Sequence, residues 1–460
     1  MTKTANKKFN LLDRLEGDRI VWIIVLMLIL ISIVCIFSST SRLLEPGQTR
    51  LDIVWNQLKT VILGLAVIFI CYLIRSVDFF RACSRWFFIV TLILLLFLDF
   101  GPKSGPVHSC VLNGARRAIM IGGKQFFVFE AVKVLMVMYL AWATEAVRKG
   151  KLYLADFLAN KHNFKWARKD SVRKILYIYG PFVTTCVLVL PGSTTAALFT
   201  GGILLLTILL GGGKFKDIVL LALLGILALA ICFGLYKVTD GALFGRLGTA
   251  TSGSRTTKLE VLEQRYKDAP TAEAKQAVLD TLRQPYSARI AIKQGGFFGK
   301  GPGQSTQRYI VPDISEDYMF SFIIEEYGIW GALIVIFLYV SLLARGSLIA
   351  RNCQNDDFAR ATVAGLVLLI SMQAFLHMFV NAGIGPMTGQ TLPLISHGNS
   401  AFLCFCAAFG VILSFSRAAQ RRIAAEERNA EPLLTNEDPV GNGLDDLDAF
   451  ESSDNTDIDI

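Results

Sequence analysis

The chain has 460 residues, is 53% hydrophobic with a mean hydropathy of +0.50, and carries a formal net charge of +9. Apolar runs of roughly 15 to 20 residues with almost no charge recur along it, which excludes a soluble enzyme of this length and indicates a polytopic membrane protein. The charge is divided. Residues 429–460 hold ten acidic residues and no Lys or Arg, which leaves about +19 on the remainder, a bias better explained by membrane orientation than by nucleic-acid binding.

The first nineteen residues are basic (Lys3, Lys7, Lys8, Arg14, Arg19) and lack a small-residue cleavage site, so the apolar run behind them is expected to stay as a span. Ten spans can be read, at 20–38, 58–74, 86–98, 127–146, 175–190, 196–210, 218–235, 320–343, 361–380 and 401–415. Starting inside, they put Arg75/Arg81/Arg85, the basic 148–174 stretch, Lys214/Lys216 and Arg345/Arg351/Arg360 on the cytoplasmic side. The predicted fold is therefore an all-α polytopic integral membrane protein of about ten transmembrane helices with both termini cytoplasmic. Three parts follow: a cytoplasmic segment 1–19, a transmembrane domain 20–416, and an acidic cytoplasmic tail 417–460 that is expected to be disordered. A solubilising role suits the tail better than a partner-binding one.

Two outward connections are long, 99–126 and the large extracytoplasmic loop at about 237–316 between the seventh and eighth helices. In the second, a Gly/Ser/Thr-rich stretch at 248–254 precedes helical patterning through Leu259, Leu262 and Tyr266; a short helix is predicted over 272–282 behind the cap Thr271, and a glycine-rich segment at 295–305 closes the loop. The cytoplasmic 148–174 stretch reads equally as an interfacial amphipathic helix or a solvated basic loop.

Asp313, Glu316 and Asp317 stand where the chain enters the eighth span, with Glu325 and Glu326 further in. Acids at membrane depth are costly and mark functional sites by default. Asp317 suits a general base at the interface, although Ser315 or Asp317 would serve equally as a helix N-cap. Glu325 would lie about 12 Å further along a helix and roughly 80° around it, too deep to share a proton with Asp317, so Glu325 and Glu326 are read as structural contacts. Glu130 and Lys133, spaced i,i+3, can pair on one helix face or position a lipid phosphate. Arg116 and Arg117 suit pyrophosphate or lipid headgroups evenly. Lys300 in its glycine-rich turn could approach a phosphate. The histidines (His108, His162, His377, His397) are scattered and the cysteines show no CxxC spacing, so neither a metal centre nor a disulfide framework is indicated.

Together these residues resemble one family. Gly114-Ala115-Arg116-Arg117 with Glu130 and Lys133 is similar to a G-x-R-R-W…QPSE-x-x-K segment, and residues 191–196 are similar to a PDxGTA turn. Residues 299–307 resemble GKGxGxSxQ, residues 312–328 resemble LPExxxDFxFxxxxEExG, and residues 386–400 resemble PxTGxxLPFxSYGGSS. The ordered set, over nearly the whole chain, resembles the shape, elongation, division and sporulation (SEDS) family, FtsW/RodA/SpoVE. Departures include Ala118 for Trp, Phe127-Val128-Phe129 for Gln-Pro-Ser, Gly192 and Thr194 in the PDxGTA turn, His397 and Asn399 for Tyr and Gly, and His377 where an Asn is expected.

The resemblance implies polymerisation of lipid II into glycan strands, with undecaprenyl pyrophosphate as leaving group and Asp317 as the catalytic base. It implies Arg116, Arg117, Lys300, Ser305, Ser396, His397 and Ser400 as substrate- or pyrophosphate-binding residues, Glu130 and Lys133 as a structural or lipid-positioning pair, and a divalent cation (Mg or Mn). The implied partners are lipid II, the nascent glycan strand, a class B penicillin-binding transpeptidase, other divisome membrane proteins and membrane lipids, with no nucleic acid. The setting is the bacterial inner membrane at the septum, since the acidic tail favours the division branch over the elongation branch. A lipid II flippase or transporter, or an inactive scaffold, are the competing readings; a transporter would keep its essential groups near the midplane.

Overall fold

The computed structural model describes residues 16–39, 50–112, 115–150, 169–238, 264, 266–268, 271–311, 314–384 and 389–434. Pro312, Asp313, the 148–174 stretch from 151 to 168, the Gly/Ser/Thr-rich stretch 248–254 and the tail beyond 434 lie outside them.

All ten predicted apolar segments are helical. They are α1 (Arg19–Ser39), α2 (Arg50–Leu73), the broken pair α3 (Val77–Ser84) and α4 (Phe87–Phe100), α5 (Val128–Lys149), α6 (Asp170–Val189), α7 (Thr194–Leu210) and α8 (Phe215–Val238). After the large loop come α10 (Met319–Asn352), α11 (Asp357–Asn381) and α12 (Asn399–Leu434). Among the described residues, six of these (α1, α2 from Trp55, α6, α10, α11 and α12) are long and apolar enough to cross a membrane, and α3 with α4, bent by 45°, makes a seventh. The count of ten predicted spans is thus reached in helices but not by that criterion. Helix α7 has only 17 residues, and α5 carries Glu130, Lys133, Glu145, Arg148 and Lys149. Lipid-facing sides are apolar, as along Ile20, Ile23, Leu26 and Leu30 of α1, while Ser32 and Ser38 of the same helix are buried.

The helices approach closely through small residues. A Cβ on Gly64 of α2 would fall 2.5 Å from the Phe402 ring of α12, one on Gly346 of α10 2.5 Å from Val367 of α11, and one on Gly365 of α11 2.7 Å from Val137 of α5.

Three expectations need correction. Residues 417–434, assigned to a disordered tail, instead continue α12 as helix, with Arg417 and Ala419 buried. The fold is mostly helical but not all-α, because the 99–126 connection leads into a three-stranded antiparallel sheet, β1 (Val107–Leu112), β2 (Ala115–Ile121) and β3 (Lys124–Phe127), in the order β1-β2-β3. The turn Gly122-Gly123 has φ of +55° and +80°, the conformation that joins two strands by two residues without splaying them. The helix predicted over 272–282 runs on as α9 (Ala272–Gly295), through Pro285, and packs along α10. Apolar contact with α10 along its second half outweighs the loss of one backbone donor to proline.

Candidate active site at the start of α10

Asp317 stands half-buried in the turn that leads into α10. Its backbone carbonyl accepts from Asn381 Nδ2 at 3.1 Å, and Asn381 Oδ1 accepts from Ser321 N and Oγ at 3.0 and 2.8 Å. One side chain at the end of α11 therefore clamps the turn and the first turn of α10 together. One helical turn earlier, His377 Nδ1 lies 2.7 Å from the Gln390 carbonyl and Nε2 lies 3.4 Å from the Phe320 amide, which fits a neutral ring protonated on Nδ1. From the 389–398 loop, Ser396 Oγ donates to the Glu316 carbonyl at 2.7 Å and the His397 amide donates to the Ser315 carbonyl at 2.8 Å. The backbone of the acidic turn is thus fixed at three successive carbonyls, Ser315, Glu316 and Asp317.

Arg117 reaches the same place from the sheet. In the β1–β2 register Cys110 faces Ala118 and Val111 faces Arg116, so Arg117 is an extra residue opposite the Cys110/Val111 step, a β-bulge. Its Nε donates to the Gly192 carbonyl at 3.3 Å. A Cβ built on Gly389 would lie 3.6 and 3.9 Å from the two carboxylate oxygens of Asp317 and 3.9 Å from Arg117 Nη1. Carboxylate, guanidinium and loop backbone converge on one spot, where Gly389 adopts φ +58°, a conformation costly for any residue with a Cβ. Arg116 does not come here: its Nη1 donates to the carbonyls of Asp99 and Gly101 and tethers the sheet to the end of α4.

Glu325 and Glu326 form a separate cluster on the same helix. Glu325 is fully buried and accepts from Lys300 Nζ at 2.7 Å, Ser305 Oγ at 2.5 Å, and Thr306 N and Oγ1 at 2.9 and 3.0 Å. Glu326 accepts from Ser38 Oγ of α1 at 2.7 Å and from the Gly303 amide at 3.1 Å. The glycine-rich segment after α9 is folded onto these two acids, and α10 breaks against it at Gly328, whose φ of +67° and ψ of −161° are not helical. A Cβ on Gly299 would meet the Glu326 carbonyl at 2.2 Å, so only glycine allows this approach. Lys300 and Ser305, both named as binding residues from the sequence, hold Glu325 in this structure and do not join Asp317.

In the bundle interior, Lys133 Nζ is fully buried and donates to Glu130 Oε1 at 2.9 Å, Gln373 Oε1 at 2.5 Å and Gln390 Oε1 at 2.8 Å, which uses all three ammonium donors. Ser400 Oγ accepts from the Phe127 amide at 2.8 Å and ties the start of α12 to the sheet. His397 Nδ1 is buried with no hydrogen-bond partner, and burial pushes the imidazole below its ordinary value. Among the described residues no three His, Cys, Asp or Glu side chains come together as a metal centre. All the cysteines whose side chains are described are free thiols.

Sequence reasoning missed Asn381, Gln373, Gln390 and Gly389. Asn381 and Gln373 had a legible signal, because polar residues four apart on either side of His377 in an apolar span lie on one helix face.

The chain is similar to several known proteins along most of its length. A protein of Bacillus subtilis named probable peptidoglycan glycosyltransferase FtsW is 29% identical over 329 residues, which is 71% of this chain and 73% of that one. Stage V sporulation protein E of the same organism is 25% identical over 404 residues, 87% of this chain and 97% of that one. Among solved structures, a chain from a peptidoglycan synthase complex superposes with a TM-score of 0.57 at 20% identity, covering 88% of this chain and 98% of that one. The rod shape determining protein RodA of Thermus thermophilus superposes with a TM-score of 0.51 at 19% identity, covering 88% and 98%. These likenesses establish the shared fold. The pattern described for cell cycle proteins of the FtsW/RodA/SpoVE type matches residues 18–421, and the chain belongs to that family.

Proposed function

We propose that this protein is a peptidoglycan glycosyltransferase that polymerises lipid II at the outer face of the bacterial inner membrane, in septal wall synthesis. The observation that carries the reading is the convergence of Asp317 and Arg117 over Gly389 at the start of α10, in a family member whose relatives bear that activity in their names. Ten spans with both termini cytoplasmic would put this end outside.

Asp317 accepts the proton of an acceptor sugar hydroxyl as that oxygen attacks the anomeric carbon of the lipid-linked sugar. The bond from the anomeric carbon to the pyrophosphate oxygen breaks, and undecaprenyl pyrophosphate departs with the electron pair. Pyrophosphate is a stable anion and needs no general acid, so a single carboxylate suffices where a glycosidase uses two. Arg117 supplies positive charge and paired donors for the growing anion. A magnesium or manganese ion would add charge neutralisation there, although the described residues offer it no group of three His, Cys, Asp or Glu ligands. A class B penicillin-binding transpeptidase is the proposed partner, crosslinking the strands as they emerge.

The flippase reading asks for working charges near the membrane midplane. In the bundle interior, Lys133 beside Glu130 has every donor engaged, which supports a structural role for that pair and favours the polymerase. The test is conversion of labelled lipid II into long glycan strands by the purified protein with its transpeptidase partner. Strand synthesis that survives Asp317→Ala would sink the assignment of the base, and movement of lipid II across liposomes without polymer would sink the polymerase.

A further inference from the structure

At the end of the bundle opposite Asp317, a cavity of about 560 Å³ is bounded by the start of α1, the inner part of α10 and the middle of α12. Four arginines line it, Arg19, Arg345, Arg417 and Arg421, against two acids, Glu16 and Asp18. Both acids are engaged. Asp18 Oδ2 pairs with Arg345 at 2.5 Å while its Oδ1 accepts the Ile20 and Val21 amides, and Glu16 pairs with Arg421 at 2.5 Å.

Arg417 differs from its neighbours. It is 5% exposed, its guanidinium lies 4.2 Å from the Tyr72 ring centroid, and its Nη2 is buried with no hydrogen-bond partner. No carboxylate stands within ion-pair distance of it among the described residues. A buried guanidinium left without an anion is strongly unfavourable, so the cavity is suited to a negative group that is not among the described residues.

We propose that this cavity binds the headgroup phosphate of an anionic phospholipid, with Arg417 as its anchor. The surroundings favour a lipid over a soluble anion. Trp22 and Tyr72, both buried, meet edge to face at 5.4 Å behind Arg417 and close that side of the site to water. Ile20, which lines the cavity, and Ile23 one turn deeper are 42% and 49% exposed and offer an apolar track for acyl chains. Arg417 would present the forked donors that match phosphate oxygens, with Arg421, held by Glu16 at the rim, adding positive charge.

The full chain in detergent, offered phosphatidylglycerol, phosphatidylcholine or inorganic phosphate, tests this by native mass spectrometry. Phosphatidylglycerol should be retained at least about tenfold better than phosphatidylcholine, and Arg417→Gln should remove about tenfold of that retention, equivalent to roughly 1.4 kcal/mol. Independently of any variant, phosphatidylglycerol should raise the melting temperature of the unmodified protein where phosphatidylcholine does not. Equal retention of the two lipids, or unchanged retention in Arg417→Gln, overturns the proposal. Stabilisation by inorganic phosphate alone overturns the lipid assignment. So does phosphatidylglycerol binding that arises only after residues 435–460 are removed, since the acidic tail would then be the occupant.

Discussion

Two pairs of acids lie within eleven residues of one another, and the structure treats them in opposite ways. Glu325 and Glu326 are buried and surrounded by donors from the 300–306 segment and α1. Glu316 and Asp317 are held by their backbone carbonyls, with the side chains half-buried at the head of the helix. A buried carboxylate enclosed by donors from neighbouring segments is a structural anchor, whereas a half-buried one whose position is set through the main chain stands where a substrate hydroxyl can reach it. The difference lies in what the neighbouring loops donate to, not in the residue type.

The contrast breaks most sharply in activity. Asp317→Asn should lower strand synthesis by about 10²- to 10⁴-fold, the range for losing a general base, while the melting temperature stays close to that of the unmodified protein. Near-normal synthesis would mean that the two acid pairs had been assigned the wrong way round. Glu325→Ala should do the reverse and destabilise the protein by about 3–5 kcal/mol, because Lys300 loses its buried partner. Denaturant unfolding in detergent reads that loss, and the activity of the molecules that remain folded should persist.

A smaller effect separates the two arginines. Arg117→Ala should reduce turnover by roughly 10²-fold, in the range for removing one donor to a developing anion. Arg116→Ala should act mainly on stability, because its partners are carbonyls of α4 and its 101 neighbour. Steady-state rates on labelled lipid II distinguish them, and equal rate losses would refute the division of labour. Gly389→Ala should cost about 1–2 kcal/mol through its positive φ, and its methyl would also stand at van der Waals distance from Asp317. Its melting temperature and rate, measured together, show how much of the site's geometry the loop sets.

Much of this was legible before any coordinates. Apolar runs and the bias of Lys and Arg gave the helices in order, and the cost of an acid at membrane depth drew attention to 316–326. The small sheet was missed although Gly122-Gly123, and Asn113-Gly114 in the sequence, are two-residue hairpin signals flanked by Val, Ile and Met. Membrane-span reading looks for long apolar windows and passes over short strands. The partners of Lys300 and Ser305 could not be read because they depend on a loop folding back roughly 20 residues onto Glu325, and glycine-rich segments carry no periodicity that reports where they dock. Asn381 was hidden behind the expectation placed on His377, one helical turn away on the same face.

The bulge at Arg117 gives the site a particular vulnerability. Because the β1–β2 register skips Arg117, the charge that faces Asp317 is specified by strand length as much as by side-chain identity. Removing a single residue there would restore an unbroken ladder and improve the local hydrogen bonding, while withdrawing a guanidinium from the site. In such a strand, shortening by one residue is a more radical genetic change than most substitutions, and the better-ordered sheet would be the inactive one.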